Sequence, residues 1–336
     1  MSEKLLTCSS MKNILMITEE QARQAVSMKM ALPIFKRAYE ACVRGEMYAG
    51  GRIVIPIRGE ENCGQWLVAN CTKVPIFGAK FSSVFPGNIP KGIPSIFSQI
   101  SLYSAETGEL IALIEANYLT AVKTGGSAAI ATELMARKDA CRLGVIGSGV
   151  QAFTQVLAIQ EVRQLSELRV YDRFPERIEA FVTKIKGVRN NPYKIIKCTS
   201  ADECVNASDM ISTCTTSLTP VFDAAALRPG THLNAIGSFT PFMQEVDEGT
   251  VMRASRVVTE HVGGLWEAAG DILIPFNKGL ITKDKVAGSV GEMLVGKIPS
   301  RESDAEITMY ESVGSCVLDV AIAIAAYDAF KNNSEE

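Results

Sequence analysis

A chain of 336 residues, 47% hydrophobic and 21% charged, has the composition of a folded globular protein and enough length for two domains with sizeable cores. Its net charge of −3, with lysine and arginine unclustered, argues against nucleic acid or an anionic membrane as a partner. No stretch is apolar over the length a bilayer span requires. Nine cysteines with no Cys-x-x-Cys spacing predict reduced thiols and a cytoplasmic protein. The two histidines, His232 and His261, are too few for a histidine-rich metal site, and no Gly-x-Ser-x-Gly elbow accompanies either to suggest a serine hydrolase.

Taken from the amino terminus, residues 1–12 are polar and mixed and predict a loose tail. Thr18-Glu-Glu-Gln21 is a capping box that opens a short helix reaching about Val26. A second, amphipathic helix is expected over Met30–Arg44, with Leu32, Phe35, Ala38 and Cys42 on one face. After the glycine breaks at Gly45 and Gly50-Gly51, strands are expected at Arg52–Ile55, Gln65–Ala69, Ile76–Ser83, Ser95–Tyr103 and Glu109–Ala112, the last two joined by a Glu106-Thr-Gly-Glu109 hairpin. This half reads as an α+β domain.

An alanine-rich helix follows over Leu119–Ala136. Its adjacent Gly125 and Gly126 each cost about 1 kcal/mol relative to alanine, so they imply either close helix packing or a backbone that must approach a ligand. From Ala140 the pattern alternates strand and helix, with strands near 142–147, 167–172, 193–198, 209–214, 231–236 and 256–259. Such alternation predicts an α/β fold, a doubly wound, Rossmann-type parallel sheet. Beyond Lys297-Ile-Pro299, a single long helix is expected over Ile307–Ala329, packing back on the first domain. The boundaries that follow are 13–130 with 305–330 for one domain and 131–304 for the Rossmann domain.

The segment Arg142-Leu-Gly-Val-Ile-Gly-Ser-Gly-Val-Gln-Ala152 carries the first chemical signal. It is a short apolar strand running into a Gly-x-Gly-x-x-Ala turn and a helix that starts near Gln151. Gly147 allows the tight turn, Gly149 lets a pyrophosphate approach the main chain, and Ala152 lets the helix pack on the strand. The free N–H groups of the helix's first turn favour an anion. The strand Leu168-Arg-Val-Tyr-Asp172 then ends in a carboxylate about 20 residues past the turn, where a ribose 2′-hydroxyl is held. Asp172 favours NAD(H) over NADP(H), although Arg173 beside it can meet a phosphate; the alternative for Asp172 is the N-cap of the helix around Glu176–Val182. Strand 209–214 should end beside the cofactor as well.

Several segments together resemble the ornithine cyclodeaminase/mu-crystallin family: Leu119-Thr-Ala-Val-Lys-Thr-Gly125, Leu143 to Ala152, Ala235-Ile-Gly-Ser-Phe-Thr-Pro241 with Glu245-Val-Asp247, Ala269-Gly-Asp271, and Glu306 to Gly314 with Asp319. The resemblance runs from about Met16 to near the end. It implies an NAD(P)-dependent oxidoreductase that interconverts an amino acid and its imine, as cyclic ketimine or pyrroline-2-carboxylate reductases and amino-acid dehydrogenases do. It also implies a homodimer whose first domain binds substrate and dimerises. Ornithine cyclodeaminase, and a non-catalytic mu-crystallin-like binding protein, are the alternatives.

By the same resemblance Arg52, Lys80 and Lys123 contact an amino- or imino-acid substrate, with Lys80 catalytic. An arginine fork suits a carboxylate, and a desolvated lysine can pass a proton to or from nitrogen. Lys123 stands where the family usually has arginine. The expected cofactor-binding residues are Thr124, Gly147, Gly149, Val150, Gln151, Ala152, Asp172, Arg173, Thr213, Thr215 and Gly237; no metal ligand is expected. Two departures bear on the substrate. Phe239 occupies the place of an aspartate that assists deamination in cyclodeaminases, and Trp66-Leu-Val-Ala-Asn70 replaces a Met-Pro-containing strand. The Phe239 segment resembles the mu-crystallin and imine-reductase side more, and both departures argue against carrying over the cyclodeaminase label whole.

Overall fold

A computed structural model describes residues 14–58, 62–188 and 193–331; the tail expected over 1–12 lies outside them. The chain forms two compact units. One comprises the segments up to Ser27, Arg44–Thr120 and from Cys316 onward; the other comprises Met28–Val43 and Ala121–Ser315. The boundaries expected from sequence fall elsewhere. The helix Met28–Val43, the residues 121–130 and the residues 305–315 all lie in the second unit.

The first unit is built on a seven-stranded sheet: β1 (Leu15–Ile17), β2 (Met47–Ala49), β3 (Ile53–Pro56), β4 (Cys63–Cys71), β5 (Ile76–Val84), β6 (Ile96–Ser104) and β7 (Leu110–Glu115). The central strands run β7-β6-β5-β4 in antiparallel register, with Lys80 of β5 opposite Leu67 and Ile100. Directly opposed residues share a face of the sheet, so Lys80, Leu67 and Ile100 point the same way, into the core. The carboxy-terminal helix Cys316–Lys331 covers β4, β5 and β6. Gly78 admits it: a methyl group there would sit 3.0 Å from Val320. The capping box at Thr18 forms as expected and starts the helix Glu19–Ala25.

The second unit holds an eight-stranded, all-parallel sheet. Its strands are β8 (Arg142–Ile146), β9 (Glu167–Tyr171), β10 (Lys194–Lys197), β11 (Met210–Thr213), β12 (His232–Ala235), β13 (Arg256–Thr259), β14 (Val286–Ser289) and β15 (Thr308–Glu311). The order is β10-β9-β8-β11-β12-β15-β13-β14. The doubly wound arrangement is therefore present, with its reversal of strand order between β8 and β11, where such sheets bind ligands.

The expectation of one helix over Ile307–Ala329 is corrected. Thr308–Glu311 is a strand, inserted between β12 and β13, and the helix begins only at Cys316. Both faces of β15 are buried, so it lacks the polar–apolar alternation that marks a half-exposed strand and merges with the apolar run behind it.

The long helix Asn117–Met135 explains its paired glycines by packing. A Cβ on Gly125 would lie 2.8 Å from the Thr154 carbonyl oxygen, and one on Gly126 would lie 2.6 Å from the Phe35 ring. The helix Met28–Val43 is thus held within the second unit. Tyr39 adds a buried hydroxyl chain: it hydrogen bonds Ser127, Ser127 bonds Tyr310, and the Tyr310 hydroxyl donates to Glu260 at 3.0 Å.

Candidate active site

In the second unit the expected cofactor residues collect at the carboxyl ends of the parallel strands. β8 runs into Gly147, whose φ of +96° is the left-handed conformation that favours glycine, and a Cβ there would meet the Cys214 carbonyl at 2.7 Å. The helix begins at Val150, one residue before the expected start, with Gly149 as its N-cap. No side chain caps it, so its first-turn N–H groups stay available to an anion. Nothing lies within 4 Å of a Cβ built on Gly149, so the space in front of that turn is open. Val150 is exposed, Gln151 half-buried and Ala152 fully buried against the sheet.

Asp172 follows the last residue of β9 and is buried. One carboxylate oxygen accepts from Ser148 Oγ at 2.5 Å and the other from the Phe174 amide at 2.8 Å. The next helix starts at Pro175, so Asp172 closes a local turn ahead of it rather than capping it. Ser148, which sequence analysis left without a role, ties the carboxylate to the glycine turn. Arg173 is exposed, with its guanidinium 5.6 Å from the Phe174 ring centre.

Thr213 ends β11 in full burial, and Thr215 follows it. Gly237 lies beyond β12, and a Cβ there would come within 2.1 Å of the Thr215 carbonyl oxygen, so no other residue fits. Glu245 binds both loops: its carboxylate accepts from the Thr215 amide at 2.5 Å and from the Gly237 amide at 2.6 Å. Burial pushes this carboxyl up from its ordinary range, and the hydrogen bonds oppose the shift. Thr124 and Lys123 are buried on the long helix, where the Thr124 carbonyl accepts from Gln155 at 3.4 Å.

In the first unit Lys80 is only 6% exposed, and its ammonium donates to Asp319 Oδ2 at 2.7 Å. Asp319, on the carboxy-terminal helix, is fully buried, and its other oxygen has no partner among the described residues. An isolated ammonium at such depth is costly, and the paired carboxylate makes its burial tolerable. An ammonium has three donors; this one spends a single donor on Asp319, which leaves two for a ligand. Arg52 is half-buried and immediately precedes β3, two strands from β5. A depression of about 620 Å³ in this unit, between Asn70 and Glu106, is lined by none of the candidate residues.

The histidines are accounted for locally. His232 is fully buried between Thr308 Oγ1 at 2.9 Å and Asn234 Oδ1 at 3.1 Å, and burial pushes its pKa down to about 3. His261 caps the helix Val262–Ala268 through the Gly264 amide. Among the described residues no group of three or more histidine, cysteine or acidic side chains is arranged to hold a metal, and no helix is long and apolar enough to cross a membrane.

A chain that carries a Rossmann-type sheet with this turn in one unit and a buried, paired lysine in the other is an NAD(P)-dependent oxidoreductase. Comparison with known proteins agrees. The profile of the ornithine cyclodeaminase/mu-crystallin family matches residues 13–334, and the chain belongs to that family. It is 32% identical over 315 residues to a Delta(1)-pyrroline-2-carboxylate reductase of Bacillus cereus, covering 94% of this chain and 96% of the relative. Among solved structures, the Thermococcus litoralis Delta(1)-pyrroline-2-carboxylate reductase in complex with NADH and L-proline superposes with a TM-score of 0.92 at 30% identity, over 96% of this chain and 98% of that one. An archaeal alanine dehydrogenase dimer with bound NAD gives 0.89 at 29% identity, over 96% and 97%.

Proposed function

We propose that this chain reduces a cyclic α-imino carboxylate to the corresponding amino acid with NADH, as a particular case of the amino-acid/imine interconversion of its relatives. The observation that carries the substrate side is Lys80: a buried ammonium, fixed by Asp319, with two donors uncommitted. The uncapped helix after Gly149 and the open space in front of it fit a pyrophosphate, and Gly237 fits only as a bare backbone. Gly147, Gly149, Val150, Gln151 and Ala152 hold the phosphates in this reading, Asp172 the ribose, and Thr124, Thr213, Thr215 and Gly237 the remainder. Arg173, exposed at the rim, meets the adenosine end. Bound there, the cofactor supplies a hydride to the imine carbon.

The protein's own part is binding and proton supply. Arg52 holds the carboxylate as a two-pronged donor. Lys80 gives a proton to the imine nitrogen, and Asp319 holds the ammonium in place for that transfer. Asp172 sets the preference for NAD(H), since a 2′-phosphate meets its negative charge.

The first unit is the substrate-binding and dimerisation domain in this reading, and the second the dinucleotide domain. Self-association is supported by the apolar side chains that unit exposes on one face of β3 and β4, Ile53 at 58%, Trp66 at 39% and Val68 at 45%. A patch of this kind marks an interaction surface. The eight described cysteines are free thiols, which supports a cytoplasmic location.

The test is NADH oxidation with pyrroline-2-carboxylate, piperideine-2-carboxylate and pyruvate plus ammonia. The reading expects turnover of at least one cyclic imine; a protein that binds NADH and turns over none of them contradicts it. Ammonia release from ornithine without net NADH formation identifies a cyclodeaminase instead.

A further inference from the structure

Three carboxyl groups lie buried together behind the loops that Glu245 binds, and their hydrogen bonding does not balance. Glu245, Asp271 and Glu311 are all inaccessible to solvent. Asp271, in the first turn of the helix Gly270–Asn277, accepts from the Glu245 and Val246 amides through Oδ1, at 2.7 and 3.1 Å, while its Oδ2 has no partner. Glu311 ends β15, and among the described residues neither of its oxygens has a partner. The charges that face Glu311 among the described residues are carboxylates, those of Asp271, Glu245 and Glu260; Asp271 faces Glu245. Glu245 faces the Thr213 side chain and the Cys214 thiol besides its two amide donors. Glu260 is itself satisfied by Tyr310, by Ser312 at 3.1 Å and by the Gly314 amide.

An unpaired buried carboxylate costs several kcal/mol, and like charges add to it. A proton relieves both costs, because a protonated carboxyl donates where a carboxylate can only accept. The three groups differ in their claim on it. Glu245 already has two strong amide donors that favour its ionised form. Glu311 has none, and Asp271 Oδ2 offers a vacant acceptor. Burial and the neighbouring carboxylates push both Glu311 and Asp271 well above the ordinary carboxyl range.

We propose that Glu311 and Asp271 share a proton at neutral pH, and that this proton lets Glu245 remain the ionised clamp that positions the Thr215 and Gly237 loops for the dinucleotide. Glu245 is then a positioning residue. Loss of the shared proton at alkaline pH adds a charge beside the clamp, which then competes for protons with its own amide donors. The inference rests on the dinucleotide reading above for its effect on binding, and for the shared proton on the burial of both groups, their unpartnered oxygens and the pairing of Glu311 with Ala235, just ahead of the Gly237 loop that Glu245 binds.

The test uses the full chain and NADH, whose fluorescence reports binding. From about pH 7 to about pH 10 the Kd of the wild type is expected to rise about tenfold, the effect of one proton bound one pKa unit more tightly in the complex. Glu311→Gln supplies a permanent neutral donor to Asp271, so its Kd stays within about twofold over the same range. The same pH dependence in both proteins overturns the proposal. Should the variant not fold, calorimetry of NADH binding to the wild type in buffers of different ionisation enthalpy measures the same proton: uptake on the alkaline limb is expected, and zero exchange across the range overturns the idea. The protonated carboxyl also has an infrared carbonyl band at neutral pH, whose absence in the wild type refutes the shared proton whether or not NADH binds. A rise in Tm on replacing tetramethylammonium by potassium at fixed pH indicates a bound cation instead and likewise overturns it. No NADH binding at any pH removes the dinucleotide reading, while the infrared band still decides the pair.

Discussion

Lys80 and Asp319 are 239 residues apart in sequence and form one buried ion pair, so cutting it from either side makes a sharp prediction. The ammonium is 6% exposed and the carboxylate 0%, so neither charge regains water when its partner goes. Removing one member of such a pair costs about 3–5 kcal/mol, whereas replacing both by apolar residues of similar volume is often neutral or stabilising. Asp319→Leu is therefore expected to lower unfolding free energy by that amount in a urea titration. Lys80→Met is expected to lose a comparable amount, because it likewise leaves one buried charge without its partner. The double variant should recover most of the loss, a coupling of at least about 2 kcal/mol in the mutant cycle. Activity separates from stability here. The Lys80→Met single variant and the double variant are both expected to lose about 100- to 10,000-fold in kcat/KM for the imine, the usual worth of a positioned proton donor. NADH affinity is expected to remain, because the dinucleotide turn belongs to the other unit. Two results refute the reasoning: an Asp319→Leu variant as stable as wild type, or a stable double variant that keeps kcat/KM within about tenfold of it.

Asp172→Ala removes the acceptor of Ser148 and of the Phe174 amide, so NADH binding should weaken by about 1.5–3 kcal/mol while NADPH binding loses less; an unchanged ratio of the two Kd values assigns Asp172 to the local turn alone. Gly126→Ala should destabilise by about 1–3 kcal/mol, because the clash with the Phe35 ring at 2.6 Å outweighs the gain of about 1 kcal/mol in helix propensity. A stabilised variant in a thermal melt refutes the packing explanation of the paired glycines. His232 is held neutral when folded, with its pKa at about 3 against an ordinary 6.5. Between those values the unfolded chain binds the extra proton, so His232 contributes full stability above about pH 6.5 and loses about 1.4 kcal/mol per pH unit as pH falls toward 3. His232→Gln should flatten that part of the stability curve; an unaltered slope shows that other groups govern the acid limb.

Sequence alone determined the parts of this protein that are local. A glycine that must turn with positive φ and a capping box at Thr18 are each specified within a few residues and formed where expected, while the uncapped helix after Gly149 starts one residue early and the strand expected to end in Asp172 stops at Tyr171. The lysine on β5 was singled out only through the family resemblance, since its own strand offers no local signal for a buried ammonium. What the tertiary structure decided is what depends on distant neighbours. The strand Thr308–Glu311 looks like part of a helix until β12 and β13 bury it on both sides. The helix Met28–Val43 joins the second unit because Phe35 fits over a bare Gly126. Asp319, Glu245, Asp271 and Glu311 stood in motifs but had no stated task, since a carboxylate's task is set by what it touches. Asp319 meets Lys80, Glu245 meets two loop amides, and Glu311 meets no donor. Hydrophobic period and turn chemistry act over one or two turns of chain, whereas the electrostatics of a buried charge depend on everything folded around it.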